Sequence, residues 1–211
     1  MSDDFGSMVR RIRTDLNRGT RHDTRIKEAI VDAIRFYRTR RFGFNQKRQT
    51  TTINPNDEYL ALPTGWLEVD TMLLEDGVTR EPLRERGFSW LDDQYRGLNE
   101  TGRPMYFALQ NRQLRFAPVP DTSYSLVMSF LFQLPEVSVS ASDAATNAWM
   151  VEGEELIRKH ALADLKVLYL GTAEEVEKGM ALRQECSDII APALEAQAAR
   201  ESTAGRIRSF L

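Results

Sequence analysis

The sequence predicts an α+β protein, a helical bundle formed by N- and C-terminal helices with an inserted antiparallel β-sandwich or barrel domain. Three observations carry this. Helical spacing of apolar residues runs through residues 8–42 and returns over 149–190. Extended, β-branched and alternating runs fill the middle, from Thr50 to Phe132. Neither helical end has enough apolar residues for its own core, so the two are expected to pack on each other. The expected divisions are residues 1–47 (helical), 48–136 (β domain), 137–148 (linker), 149–200 (helical) and 201–211 (an extended arm).

Met8, Ile12 and Leu16 recur every four residues and predict a helix over Met8–Asn17, with Ser7 as N-cap and Gly19 as breaker. A second helix should start at Asp23 or Thr24, whose side chains can accept from unpaired backbone amides. Its buried stripe is Ile26, Ile30, Ala33, Ile34 and Tyr37. Arg35, Arg38, Arg40 and Arg41 crowd its last turns, where positive charge suits the helix dipole, and Gly43 ends it.

After Lys47 the pattern turns extended. Thr50–Ile53 reads as a strand closed by the turn Asn54-Pro55-Asn56-Asp57, and Tyr59–Leu62 as a second extended segment ending at Pro63. Leu67, Val69, Met72 and Leu74 predict another strand, closed by Glu75-Asp76-Gly77. Glu81-Pro82-Leu83 reads as an edge strand, because proline cannot donate to a ladder. Phe88–Tyr95 is expected to make a turn or two of helix. Met105–Leu109 and Gln113–Ala117 form a hairpin across Asn111-Arg112. The strict alternation of Tyr124–Phe132 marks a central strand, and about five or six strands are expected in all.

Pro135–Asn147 reads as a polar linker. Trp149–Leu170 predicts one long helix, stopped at Gly171. Thr172 then caps a further helix, with Glu175 completing a capping box. That helix runs through Val176, Met180, Leu182 and Ile189 toward Pro192, where it kinks or divides.

Charge is unevenly distributed. Residues 1–50 hold 13 Lys/Arg against 6 Asp/Glu, a net of +7; residues 51–150 are net −7 and residues 151–211 net −3. Eleven of the 13 cations are arginines, whose rigid fork suits carboxylate or phosphate. Such a head fits nucleic-acid contact or head-to-body contact between identical copies.

Catalytic chemistry finds no anchor. One Cys rules out a disulfide framework and a Cys-rich metal site, and two His argue against a histidine-built metal centre. Cys186 reads as a small core residue, and His22 as a surface turn residue. His160 has Asp164 one turn ahead but no nucleophile beside it. The doublets Asp92-Asp93, Glu154-Glu155 and Glu174-Glu175 point apart on a helix and read as solvated faces. There is no phosphate loop or dinucleotide fingerprint, and no metal or cofactor is expected. No run of 18 apolar residues suggests a membrane span, and the N-terminal MSDDFGSMVRRIRTDL lacks a signal-peptide core, so an intracellular setting is the expected default. Trp66 reads as a plug at one end of the β domain. Trp149 and Met150 are expected to cover the bundle or to meet a neighbouring subunit.

In order along the chain, these pieces resemble the tailed-bacteriophage head–tail adaptor family, also called connector or head completion proteins, of the short-tailed type with an inserted β domain. The resemblance rests on DTRIKEAIVDAIRFY (Asp23–Tyr37) and EYLALPTGWLEVDTMLL (Glu58–Leu74), with Tyr59, Leu62, Pro63, Leu67 and Val69 in the family's places. GRPMYFAL (Gly102–Leu109), QLRFAPVPDTSYSLVMSFLFQLPEV (Gln113–Val137) and EELIRKHALADLKVLYLG (Glu154–Gly171) complete it. Gly171-Thr172 stands for the commoner Gly-Asp, and Trp66 for an aliphatic residue or Phe.

The resemblance implies a structural, non-enzymatic protein of the virion's head–tail junction, assembled in the host cytoplasm. It implies a homo-oligomeric ring of twelve copies between the portal protein and a tail or nozzle protein. DNA would pass through the centre, with transient non-specific contact. Arg206, Arg208, Phe210 and Leu211 would dock the C-terminal arm on the portal. Arg35, Arg38, Arg40, Arg41, Lys47 and Arg48 would face a neighbouring subunit or the DNA channel. The alternative is a nucleic-acid-binding assembly or regulatory protein that uses the basic N-terminal helices.

Overall fold

The first helix begins on a reciprocal cap. In the computed structural model, which describes residues 4–95, 100–170 and 172–204, α1 spans Phe5–Asp15. The Asp4 carboxylate accepts from the Ser7 amide at 2.7 Å, and the Ser7 hydroxyl accepts from the Asp4 amide at 3.1 Å. Ser7, the expected cap, is thus inside the helix, because an acidic side chain three residues earlier takes that place. α2 (Asp23–Tyr37) follows one 3₁₀ turn, Thr20–His22. Asp23 and Thr24 also fall inside their helix; the Asp23 carboxylate is held by Arg13 at 2.7 and 2.8 Å. The predicted stripe from Ile26 to Tyr37 is buried in full. α2 stops at Tyr37, well before Gly43, so Arg40 and Arg41 lie beyond its last turn. Asn45, fully buried, fixes the exit: its side chain accepts from Phe42 N–H at 2.8 Å and donates to the Arg40 carbonyl at 2.7 Å.

The strands are β1 (Gln46–Ile53), β2 (Tyr59–Ala61), β3 (Trp66–Glu75), β4 (Arg80–Pro82), β5 (Arg84–Glu85), β6 (Thr101–Gly102), β7 (Tyr106–Gln110), β8 (Gln113–Ala117), β9 (Val119–Pro120) and β10 (Tyr124–Phe132), with α3 (Phe88–Gln94) after β5. One sheet has the order β1-β10-β3-β4, the other β2-β8-β7-β5, and β6 pairs with β9. The alternating strand β10 is central, as expected, and the Pro82 strand is an edge. Asn111 and Arg112 take φ of 50° and 61°, the left-handed pair a tight hairpin needs.

Two features depart from expectation. The β5–β7 and β6–β9 pairs are parallel; the chain passes through α3 between β5 and β7, a crossover that permits parallel pairing. β3 is also bulged: Thr71 pairs with Ser129 but Val69 with Phe130, and Glu68 with Leu131 but Trp66 with Phe132. Each extra residue flips the parity, so Trp66, Val69, Met72 and Leu74 all reach one core. That core also takes Phe107, Leu114 and Phe116 from the second sheet, so two separate sheets share it as a sandwich.

The predicted long helix is broken. α4 (Ala148–Val151), capped by Asn147, stops two residues before Gly153, and α5 (Glu154–Leu165) begins anew after that glycine, followed by a π turn, Lys166–Leu170. α6 (Ala173–Glu185) is capped by Thr172, which accepts from the Glu175 amide at 3.3 Å. The Glu175 carboxylate pairs with Lys166. A second π turn, Cys186–Ile190, precedes α7 (Ala191–Ala204). Pro192 has no N–H for the regular ladder, and the chain answers with a wider turn just before it. Met180 and Ile189, expected in the buried stripe, are 59% and 64% exposed. α6 instead meets α5 through Gly179, where a Cβ would sit 2.7 Å from Val167 Cγ2 and 2.9 Å from the Ala163 carbonyl oxygen. Residues 201–204, expected in the extended arm, finish α7; the alanine-rich stretch before them sustains the helix.

Contacts divide the chain into one unit of Met1–Asn45 and Gln133–Leu211 and another of Gln46–Phe132. In the first, both ends of the chain share one core: Phe5, Ile12, Ile30, Tyr37, Trp149, Leu156, Ile157 and Cys186 belong to it. The stretch read as a polar linker packs on that core through Val137, Val139, Ala141 and Ala145, as does Leu134 just before it. Its carbonyls at Asp143 and Ala145 accept from Gly6 and Phe5 at 2.8 Å each. No described helix is long and apolar enough to cross a membrane.

Candidate functional site

Buried polar groups come first, since catalysis would draw on them. The His160 imidazole on α5 shares a hydrogen bond with the Tyr37 hydroxyl through Nδ1 at 3.0 Å, and its Nε2 lies 3.6 Å from Asp164 Oδ2. Asp164 in turn pairs with Arg183. Burial, more than any neighbour, holds the imidazole below its usual pKa and pushes the Tyr37 hydroxyl up to about 12. Burial also pushes the Cys186 thiol up to about 11, with its Sγ 3.9 Å from the Leu156 carbonyl oxygen. These groups are held in their neutral forms and tie α2, α5 and the turn after α6 together. His22 lies in the 3₁₀ turn, its Nε2 accepting from Arg21 Nε at 3.1 Å.

The carboxylate doublets diverge onto separate cations. Asp92 meets Arg115; Glu154 meets Arg11 and Arg158; Glu155 meets Lys159; Glu174 meets Lys178. Among the described residues no three His, Cys, Asp or Glu are grouped to hold a metal ion.

The basic head is largely matched by carboxylates of its own unit. Arg13 grips Asp23, Arg11 reaches Glu154 at 3.0 Å, and Asp15 takes Arg158 at 3.0 Å. Arg35 and Arg38 converge on Glu136, and Arg40 holds Glu195 at 2.6 Å while lying over the Tyr37 ring. Lys27 meets Asp143 at 2.8 Å. Sequence reasoning looked for the head's partner in another molecule; much of it is folded beside the head. Of the other candidates, Arg41 is half-buried, Lys47 is exposed with its ammonium 5.7 Å from the Phe132 ring centre, and Arg48 is exposed on β1.

Three arginines stand apart. Arg18, Arg21 and Arg25 have no carboxylate within salt-bridge distance among the described residues. With His22 and Tyr169 they line a groove of about 160 Å³ whose apolar part is Leu16, Ile26 and Leu165. Neither the spacing of these arginines nor their composition separates them from their paired neighbours in sequence.

Trp149 and Met150, each 1% exposed, are spent within the helical core, where the Trp149 ring contacts Phe42 and Phe44. Trp66 stacks on Phe130, with ring centres 4.4 Å apart. Arg206, Arg208, Phe210 and Leu211 lie outside the described residues. Apolar surface is offered instead by Phe36, Leu168, Met180 and Ile189, all more than half exposed. Phe36 falls two positions from Ile34, off the predicted stripe, which is the signal that its side chain points away.

No curated protein matches the chain. The family model described as SU10 adaptor protein matches residues 3–208, nearly its whole length. With terminal helices joined in one core around an inserted β unit, and with its buried polar groups held in structural roles, the chain belongs to the SU10 adaptor protein family, structural head–tail adaptors of bacteriophages.

Proposed function

We propose that copies of this chain close into a ring, twelve in number, that joins the phage portal to a tail or nozzle protein and leaves a channel for DNA. The observation that carries this reading is family membership across residues 3–208. Several exposed apolar residues, Phe36, Leu168, Met180 and Ile189 among them, support a role in protein assembly. Repeated heterologous contact closes into a ring when its rotation closes. Lys47 and Arg48 are the exposed cations of β1 proposed to face DNA or a neighbouring subunit. Arg35, Arg38 and Arg40 already hold carboxylates of their own chain and would have to exchange them to do the same.

Attachment is assigned to Arg206, Arg208, Phe210 and Leu211. Burying side chains the size of Phe210 and Leu211 yields about 1.5–3 kcal/mol each before ordering costs. Repetition around a ring turns such weak contacts into stable anchorage. The test is native mass measurement of the protein alone and with portal, and the same with residues 202–211 deleted. The full chain should gain a ring of copies on portal, and the truncated chain should stay folded but fail to co-sediment. Unchanged co-sedimentation of the truncated chain would refute the docking assignment, and a single copy per portal would refute the ring.

A further inference from the structure

We propose that the groove between the α1–α2 turn and the end of α5 is a docking site for an acidic protein segment carrying a medium-sized apolar side chain. Its charge is the first argument. Among the described residues Arg18, Arg21 and Arg25 are exposed guanidiniums with no carboxylate within salt-bridge distance, in a helical unit where Arg11, Arg13, Arg35, Arg38 and Arg40 all have one. The nearby Glu175 is engaged elsewhere: a hydrogen bond from Lys166 chiefly holds its pKa below the usual range, and Arg18 contributes only a lesser part of that shift.

Shape is the second argument. Ile26 and Leu165 are buried at 0% and 4% exposure and Leu16 is half-buried, so an apolar floor lies beneath a cationic rim. Arg25 is stacked over the Tyr169 ring, 4.9 Å from its centre, and Arg21 is tethered through Nε to His22. Both guanidiniums are therefore partly ordered before anything binds, which lowers the entropic cost of an ion pair. A space of about 160 Å³ admits one or two side chains. A DNA duplex cannot enter it and would touch only the rim. An apolar floor gains nothing from phosphate but gains from an aliphatic side chain. The occupant that uses both features is a peptide with Leu or Val flanked by Asp or Glu.

The proposal rests on the adaptor reading only for the expectation that the occupant is protein. The test uses the full chain and three fluorescein-labelled probes: a peptide EDLLED, its uncharged counterpart QNLLQN, and a DNA duplex of random sequence. Fluorescence anisotropy should show binding of the acidic peptide over the uncharged one. The variant R18Q/R21Q/R25Q should weaken that binding about tenfold or more, while R35Q/R38Q, which alters paired arginines, should leave it unchanged. R21Q alone, at an exposed position, should show a smaller loss in the same direction should the triple variant fold poorly. Equal binding of both peptides, or no loss in R18Q/R21Q/R25Q and R21Q, overturns the site. Loss of duplex binding in the triple variant with peptide binding intact overturns it in favour of nucleic acid. Portal attachment is read by sedimentation, so either proposal can fail while the other stands.

Discussion

The helical unit and the β unit solve the same burial problem in different ways, one from two separated stretches of chain and the other from a single one. The β unit is one continuous stretch, Gln46–Phe132, and its first and last strands are direct partners: Gln46 opposes Leu131 and Lys47 opposes Phe130. Its ends are thus brought together by its own ladder. The helical unit is assembled from residues on both sides of that insertion. Phe5, Ile30 and Tyr37 have no core until Trp149, Leu156 and Cys186 arrive from the far side. One unit can close as soon as it is made, whereas the other must wait for distant contacts whose loop entropy is spent first.

Cutting the chain should separate the two units most clearly. Residues 46–132 produced alone should show β-type circular dichroism and a cooperative thermal transition. Residues 4–45 produced alone should show little helix, because isolated helices of this length are marginal in water without an apolar partner. A stable, cooperative 4–45 fragment would mean that the N-terminal pair does not depend on the C-terminal helices.

A smaller perturbation compares the two indoles. Trp149 is 1% exposed and contacts two rings, Phe42 at 5.5 Å and Phe44 at 4.9 Å. Trp66 is 9% exposed and, among the described residues, has one ring partner, Phe130. Trp149→Ala should cost about 3–5 kcal/mol, and Trp66→Ala should fall at or below the low end of that range. Denaturant unfolding of the two variants measures the order; a larger loss at Trp66 would reverse it.

Much of this architecture was legible in the sequence, and the exceptions share a cause. Periodicity gave the stripe of α2, the central place of β10 and the meeting of the two helical ends, because each follows from where apolar side chains must go. What it missed is set by single backbone or side-chain choices. Asp4 displaces Ser7 as a cap. Gly153 divides one predicted helix. The mixed parity of Val69, Met72 and Leu74 in β3 was visible as letters, yet it required a bulge that only the pairing register displays, and a second bulge turns Trp66 rather than Leu67 into the core. The candidate site was least legible. Arg13 and Arg18 look alike in sequence, and only folding shows that one has met Asp23 while the other faces a groove. Trp149 likewise looks like interface material until its ring partners are known.

The smallest expected effect is a pH response that only the helical unit should show. Both histidines, His22 and His160, lie in the helical unit, and residues 46–132 contain none. Burial holds the His160 imidazole below its ordinary value of 6.5; Asp164 pulls the other way and Arg183 reinforces the depression. As pH falls below about 6.5 the unfolded chain takes up a proton that the folded chain resists, so the unfolded state gains and stability declines. In the β unit the nearest counterpart is Asp76, held at about 2 against an ordinary 3.8, first by hydrogen bonds from the Thr79 and Val78 amides. Its contribution is complete above 3.8 and is lost only as pH falls toward 2. Between pH 7 and about 5 the helical transition should therefore shift to lower temperature while the isolated β fragment keeps its midpoint. His160→Gln should flatten the helical response. A helical midpoint that does not move over this interval, or that moves equally in the Gln variant, would show that the imidazole is not the group that senses acid.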